Sequence, residues 1–255
     1  MATTKSLTNV EQRTINAIVA EYRHRVVNLE TFQDQLLALL LNPKTVLAPH
    51  VHSFKWRLKD PASLRAKLRR KFLAAKAENK TLDLTEENLF VRINDLVGIR
   101  ILHLYTRQIL AIDRAIKSLL EEGRFKIIEG PFARTWDSET KRFFEQINIE
   151  TRESGASMYT SVHYVIDSNS KTRYTAELQV RTLAEELWGE VTHLIDYPTP
   201  CPSLACKEQI RVLARVASSC TRVVDAIFNT YENFKLSRKR ARQRTERQRN
   251  RSRRR

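Results

Sequence analysis

Between Tyr174 and Thr182 the chain reads YTAELQVRT, with Ala176, Leu178 and Val180 alternating with Glu177, Gln179 and Arg181. A period of two buries the apolar set and gathers an acid, an amide and a guanidinium on one face. The pattern predicts a strand over 173–181 with core on one side and solvent or chemistry on the other. Just before it, YTSVHYVID over 159–167 sets Val162, Tyr164 and Ile166 against Tyr159, Ser161 and His163, and a Ser-Asn-Ser turn joins the two runs as an antiparallel hairpin. Two more strands are predicted, over 92–105 (RINDLVGIRILHLY) and 125–129. The intervening periods are helical. Residues 8–41 carry Val10, Ile15, Ile18, Val19, Tyr22 and Val26 on one face, then Phe32, Leu36, Leu39 and Leu40, and stop at Asn42-Pro43. A basic helix over 60–80 opens on Asp60-Pro61 and turns Leu64, Leu68 and Phe72 to the core. Helices follow over 108–122, ended by Gly123, over 137–146, capped by Asp137, and over 182–196, broken by Pro198 to Pro202. A last helix over 203–234 carries Ile210, Leu213, Val216, Val223, Val224 and Ile227. The order is α, then mixed β and α, then α: an α+β chain with a sheet of four or five strands and long helices at both ends.

The 255 residues are 42% hydrophobic, enough for a proper core. No apolar run approaches the length of a membrane span, and the N-terminus lacks the layout of a secretory signal, so the expected setting is the cytoplasm with no membrane contact. Cys201, Cys206 and Cys220 cluster in one quarter of the chain and do not read as a disulfide framework. His193 near Cys201 and Cys206 fits no common zinc spacing, and helix packing is the simpler reading of these thiols. The net charge of +16 is unevenly placed. From Lys235 to Arg255 twelve Lys or Arg stand against Glu246 alone, which gives +11 and leaves +5 for the other 234 residues. Such a run repels itself, reads as disordered or marginally helical, and suits either solubility or docking on the phosphates of RNA, ribosome or DNA. These shifts divide the chain into an N-terminal helical segment (1–50), a central domain (51–200), a C-terminal helix (201–234) and a basic tail (235–255).

Three polar clusters carry candidate chemistry. Arg57 and Lys59 precede the basic helix, whose Ser63, Lys67, Arg70 and Lys71 recur at helical spacing; a solvated face reads the same way, but this density of cations beside a hydroxyl suits a triphosphate. Asp95 opens an otherwise apolar strand; acids there are commonly turn residues, yet one carboxylate with another across a sheet is what a magnesium-nucleotide site requires. Tyr159 stands beside a Ser- and Gly-containing loop over 151–158, where a ring is either half-buried or free to stack on a base.

In this order, RLKDPASLRAKLRRK, INDLVGIRI, ESGASMYTSVHYVI, AELQVRT and LAEELWGEVTH resemble the synthetase domain of RelA/SpoT alarmone synthetases, specifically the single-domain small alarmone synthetases. The resemblance covers about residues 51–197. It implies a nucleotidyltransferase-like mixed sheet flanked by helices, and magnesium-dependent transfer of the β,γ-pyrophosphate of ATP to the ribose 3′-hydroxyl of GDP or GTP, releasing AMP. Carried over, it puts Arg57, Lys59, Ser63, Lys67 and Arg70 around ATP, with Arg57 near the adenine. It makes Asp95 the Mg2+ ligand, and makes Glu177 the acid that activates the acceptor hydroxyl or shares the metal, with Gln179 beside it. Tyr159 becomes the residue stacked on the acceptor guanine, and His163 lies near its phosphates.

The chain departs from that pattern in places. Met158 stands before Tyr159 where the family has Gly, the nearest glycine being Gly155, and Thr192 precedes His193 where an acid is usual. No His-Asp dipeptide marks a hydrolase half. Two other readings stay open: a relative that pyrophosphorylates the tRNA 3′ end, with the basic tail as substrate arm, and an inactive RNA-binding protein on the same fold. Small family members assemble, and the long C-terminal helix offers a surface for a homo-oligomer.

Overall fold

The computed structural model describes residues 6–154, 157–196 and 201–252. Gly155 and the break at Pro198 lie outside the described residues. The chain forms two compact units, one of residues up to His103 with Ile109–Arg181, the other of Leu104–Gln108 with the chain from Thr182 onward.

In the first unit α1 (Asn9–His24) starts at a capping box in which Thr8 and Glu11 exchange side-chain bonds to each other's backbone N–H. The single helix expected over 8–41 is two: at Arg25 the backbone leaves helical geometry (φ −104°, ψ 12°) and α2 (Val26–Leu40) begins. Ile15, Ile18, Val19 and Tyr22 are buried as the period predicts, while Val10 is exposed at the helix's first turn. Strand β1 (Ser53–Leu58) leads through Lys59 into α3 (Pro61–Ala77), where the Asp60 carboxylate accepts from the Ser63 N–H at 2.9 Å, and Pro61 starts the helix without wasting a donor. Leu64, Leu68 and Phe72 of α3 are buried. A short turn α4 (Leu89–Arg92) ends at the first residue of the run expected to be strand over 92–105; residues 93–96, Asp95 among them, lie outside any strand, and β2 is confined to Val97–His103. The unit continues with α5 (Ile109–Glu122), β3 (Lys126–Thr135), α6 (Ser138–Gln146, capped by Asp137), β4 (Glu150–Glu153), β5 (Ser161–Asp167) and β6 (Thr175–Thr182).

The sheet has six strands in the order β1-β2-β6-β5-β3-β4 and is mixed, because β3 and β4 pair in parallel. The expected four or five strands miss the two edges. Edge strands lack a long apolar alternation: β1 is SFKWRL and β4 is ETRE, three of its four residues charged, inside what the sequence presents as a loop. The central hairpin has the expected register, with Val162 opposite Val180 and Tyr164 opposite Leu178. Its buried face joins residues of α1, α2, α3 and α5 in one apolar core.

In the second unit α7 (Leu183–Asp196) packs on α8 (Leu204–Ser252). The Trp188 indole N–H donates to the Ile210 carbonyl at 3.1 Å, and Asp225 accepts from the Thr106 and Arg107 N–H groups, each at 3.1 Å. Ile210 is buried, but Val216, Val223 and Ile227 of the predicted apolar face are exposed. No boundary appears at Lys235. Of the two states expected for the basic run, disordered or marginally helical, the structure has the helical one: α8 runs on through Ser252, and the segment holds Arg, Lys and Gln, good helix formers, with no Gly or Pro.

Candidate active site

Lys59 follows β1 directly, and its N–H donates to the Leu96 carbonyl at 2.8 Å, extending the β1–β2 ladder by one step to bring Lys59 beside Asp95. The capped turn at Asp60 then sends α3 back over the same spot. Lys59 Nζ lies 2.8 Å from Asp95 Oδ2 and Lys67 Nζ 2.7 Å from Oδ1, so each carboxylate oxygen faces its own ammonium. The Tyr22 hydroxyl donates to the Lys59 carbonyl and ties this corner to α1. Burial pushes the Asp95 carboxyl up, but the charges of Lys67 and Lys59 and their hydrogen bonds outweigh it and hold it below its ordinary value.

Two strands across, His163 on β5 stands opposite Gln179 on β6, which makes Glu177 its diagonal neighbour on the same face. His163 Nδ1 lies 2.9 Å from Glu177 Oε1. Burial again raises the Glu177 carboxyl and the charge of Asp95 adds to that, but the His163 hydrogen bond and charge, with a hydrogen bond from Gln179, bring it below its ordinary value. His163 is buried, stacks on Phe132 of β3 with ring centres 5.2 Å apart, and leaves Nε2 without a hydrogen-bond partner among the described residues. The Tyr159 hydroxyl donates to Gln179 Oε1 at 3.0 Å, its phenol pushed up by burial. Arg134, Ser154 and Ser157 join Tyr159, His163, Glu177 and Gln179 around a cleft of about 260 Å³.

The structure thus brings together Lys59, Lys67 and Asp95 in one cluster and Glu177, Gln179, Tyr159 and His163 in another, with Asp95 near enough to act on the charge of Glu177. Ser63 sits in the first turn of α3; Arg57 and Arg70 are exposed. Sequence reasoning missed Arg134 as a cleft residue and Arg100, which donates to Gln179 Oε1 at 3.4 Å. It also left Arg181 without a role, although its guanidinium lies 5.5 Å from the centre of the Tyr159 ring. The signal for Arg100 was its place in the alternation of VGIRILH; for Arg134 no comparable signal existed.

Residues 56–200 match the family described as the region found in RelA / SpoT proteins. The chain belongs to the RelA/SpoT family. Among solved structures, this RelA/SpoT-family chain is similar to a GTP pyrophosphokinase family protein from Streptococcus pneumoniae, at 17% identity and a TM-score of 0.53, over 89% of this chain and 97% of that one. It is similar to small alarmone synthetase 1 from Bacillus subtilis bound to its product pppGpp, at 19% identity and a TM-score of 0.54, over 83% and 94% of the two chains. The same synthetase bound to AMPCPP aligns at 16% identity with a TM-score of 0.51, over 84% and 96%. At these identities the likeness establishes the fold. The sequence matches none of the curated proteins.

Proposed function

We propose that this RelA/SpoT-family protein transfers the β,γ-pyrophosphate of ATP to the ribose 3′-hydroxyl of GDP or GTP, giving the alarmone (p)ppGpp and AMP. The observation that carries the reading is the juxtaposition of a carboxylate flanked by two ammonium groups, at the turn into β2, with a second carboxylate on β6 that lines a cleft beside a tyrosine. Joining two polyanions requires their repulsion to be offset first; Lys59, Lys67, Arg70 and Ser63 would supply cations and a hydroxyl for the ATP phosphates, with Arg57 near the adenine. Tyr159 offers its ring to the acceptor guanine, and His163 stands at the acceptor side of the cleft.

Asp95 and Glu177 offer the oxygen donors that magnesium takes, and are close enough for their charges to act on one another; such an ion would draw its remaining ligands from phosphate oxygens and water. Asp95 and Glu177 would hold the ion, which when bound draws phosphate oxygens together and withdraws charge from them. In the transfer, the 3′-oxygen forms a bond to the β-phosphorus while the bond from that phosphorus to the α,β-bridging oxygen breaks. AMP leaves with that oxygen and its electron pair, and Glu177 takes the hydroxyl proton. The His163 hydrogen bond keeps Glu177 ionised and ready to take the proton, and also fixes its direction toward the hydroxyl, with Gln179 held beside it by Tyr159 and Arg100.

The test is incubation with magnesium and ATP labelled on the terminal phosphate, offering GDP, GTP, ATP or deacylated tRNA. Label in the guanine nucleotides with release of AMP is the expected result. Label in tRNA alone overturns the acceptor assignment, and label in no acceptor overturns the transferase reading.

A further inference from the structure

Two apolar faces run along α8. One carries Ile210, Ala214 and Ala217 and is buried. The other is open to water: Val212, Val216, Val223, Ile227 and Phe234 are each 54–59% exposed. They follow one another at steps of four, seven, four and seven, which keeps them on a single stripe about 33 Å long at 1.5 Å rise per residue. Ser219, Ala226 and Thr230, also exposed, lie on the same stripe, so short side chains stand between the branched and aromatic ones. Relief of this kind, knobs with holes between them, is what a second helix packs into. Single exposed apolar residues need no explanation, but a contiguous stripe marks a contact surface. The charge beside it has one sign. Arg215 and Arg222 are exposed along its edge, each four residues before a short side chain, Ser219 and Ala226. The three acids over 204–243 are engaged elsewhere: Glu208 with Arg211 at 2.6 Å, Glu232 with Lys235 at 2.9 Å, and Asp225 with the Thr106 and Arg107 N–H groups.

We propose that this stripe docks an acidic amphipathic helix of another protein, whose apolar side chains fill the holes at Ser219 and Ala226 and whose carboxylates meet Arg215 and Arg222. A second copy of this chain is a poorer occupant. It would bring arginines to arginines, between two chains of net charge +16, with the acids of each α8 already engaged. An anionic lipid surface would satisfy the arginines, but interfacial helices sink Trp, Phe and Leu into the bilayer, and this stripe is mostly valine and short side chains. A nucleic acid would likewise take the cations and leave the apolar stripe uncovered. The inference is independent of the transferase reading.

The experiment titrates the full chain, by fluorescence anisotropy, against a labelled synthetic helix with Leu and Ile on its apolar face and Glu flanking them, and against its counterpart with Lys for every Glu. Sedimentation of the chain alone reads self-association, and co-sedimentation with phosphatidylserine vesicles reads lipid binding. The expected result is that the Glu helix binds at least about tenfold more tightly than the Lys helix and weakens as salt rises. Val223→Asn with Ile227→Asn, both at exposed positions and with helix content checked by circular dichroism, is expected to weaken that binding at least about tenfold. Arg215→Glu with Arg222→Glu is expected to turn the preference toward the Lys helix. A Glu helix that does not bind, or binds no better than the Lys helix, overturns the acidic partner. An asparagine variant as tight as the parent overturns the stripe as the contact. Self-association or vesicle binding that the asparagine pair abolishes gives the face to a second copy or to lipid, and overturns the proposal.

Discussion

His163 Nδ1 and Glu177 Oε1 lie 2.9 Å apart across a diagonal of the β5–β6 hairpin, so the acid facing the cleft is held by an imidazole that lines the same cleft. The pairing gives Glu177 a fixed direction and keeps it ionised despite burial. Replacing it with glutamine preserves shape and a hydrogen bond to His163 but removes the charge. Glu177→Gln is expected to lower single-turnover transfer by about 10²–10⁴-fold, while ATP and GDP affinities, measured by calorimetry, change by less than about threefold. A variant that turns over at the parent rate would remove Glu177 from the chemistry.

Asp95 and Glu177 make the fold acid-sensitive in a defined direction. Their folded-state pKa values lie below ordinary values of 3.8 and 4.5. Their share of stability is therefore fully present above those values and is lost as pH falls through the depressed folded ones. Asp95→Asn is expected to cost on the order of 2 kcal/mol at neutral pH, since it leaves the buried Lys59 ammonium without its counter-charge. Below about pH 4 the gap should begin to narrow, because the unfolded parent then takes up a proton at Asp95 that the folded one does not, and it closes as pH falls through the depressed folded value. Urea unfolding at several pH values measures it; a gap independent of pH contradicts the pairing.

Gly130 approaches the site through the backbone alone. With φ at +95°, a Cβ there would lie 2.3 Å from the His163 carbonyl oxygen and 3.2 Å from Tyr164 Cα, at the irregularity where β3 bulges against β5. Gly130→Ala must push β5 away just where it carries His163. The expected outcome is a loss of about 2 kcal/mol or more in thermal unfolding together with reduced transfer. Gly98→Ala serves as the contrast, because its Cβ would meet the Arg57 side chain at an ordinary 3.7 Å and should be tolerated. Equal tolerance of both would mean that the β3–β5 contact yields freely.

Legibility followed physics. The hairpin was readable because both strands alternate without interruption and one face is fully apolar. Strand β4 was not, since ETRE offers no alternation and its pairing with β3 is set by the chain's return from α6. Lys59 and Lys67 were legible as cations, but their convergence on Asp95 depends on the β1–β2 register and the Asp60 turn, which no local pattern reports. Phe132 gave no signal. In KIIEGPFART it reads as one more apolar residue, and only the bulge that follows Glu129 brings it opposite His163.

That placement makes Phe132 a positioning residue. Its ring lies 7° from parallel with the His163 ring, and the Arg152 guanidinium lies 3.7 Å from its centre, itself tied to Glu129 at 2.5 Å and Glu150 at 2.8 Å. Strands β4, β3, β5 and β6 thus contribute Arg152, Phe132, His163 and Glu177 to one continuous series of contacts ending at the carboxylate in the cleft. Leucine at 132 keeps an apolar side chain but offers no flat face, so the imidazole loses the surface that sets its plane. Phe132→Leu is expected to lower kcat by about tenfold with little change in KM for ATP, because the loss falls on alignment in the transition state and not on nucleotide capture. Phe132→Tyr, which keeps the ring plane, should recover most of the rate. A leucine variant that raises KM while sparing kcat, or a tyrosine variant no better than leucine, would show that Phe132 serves packing alone.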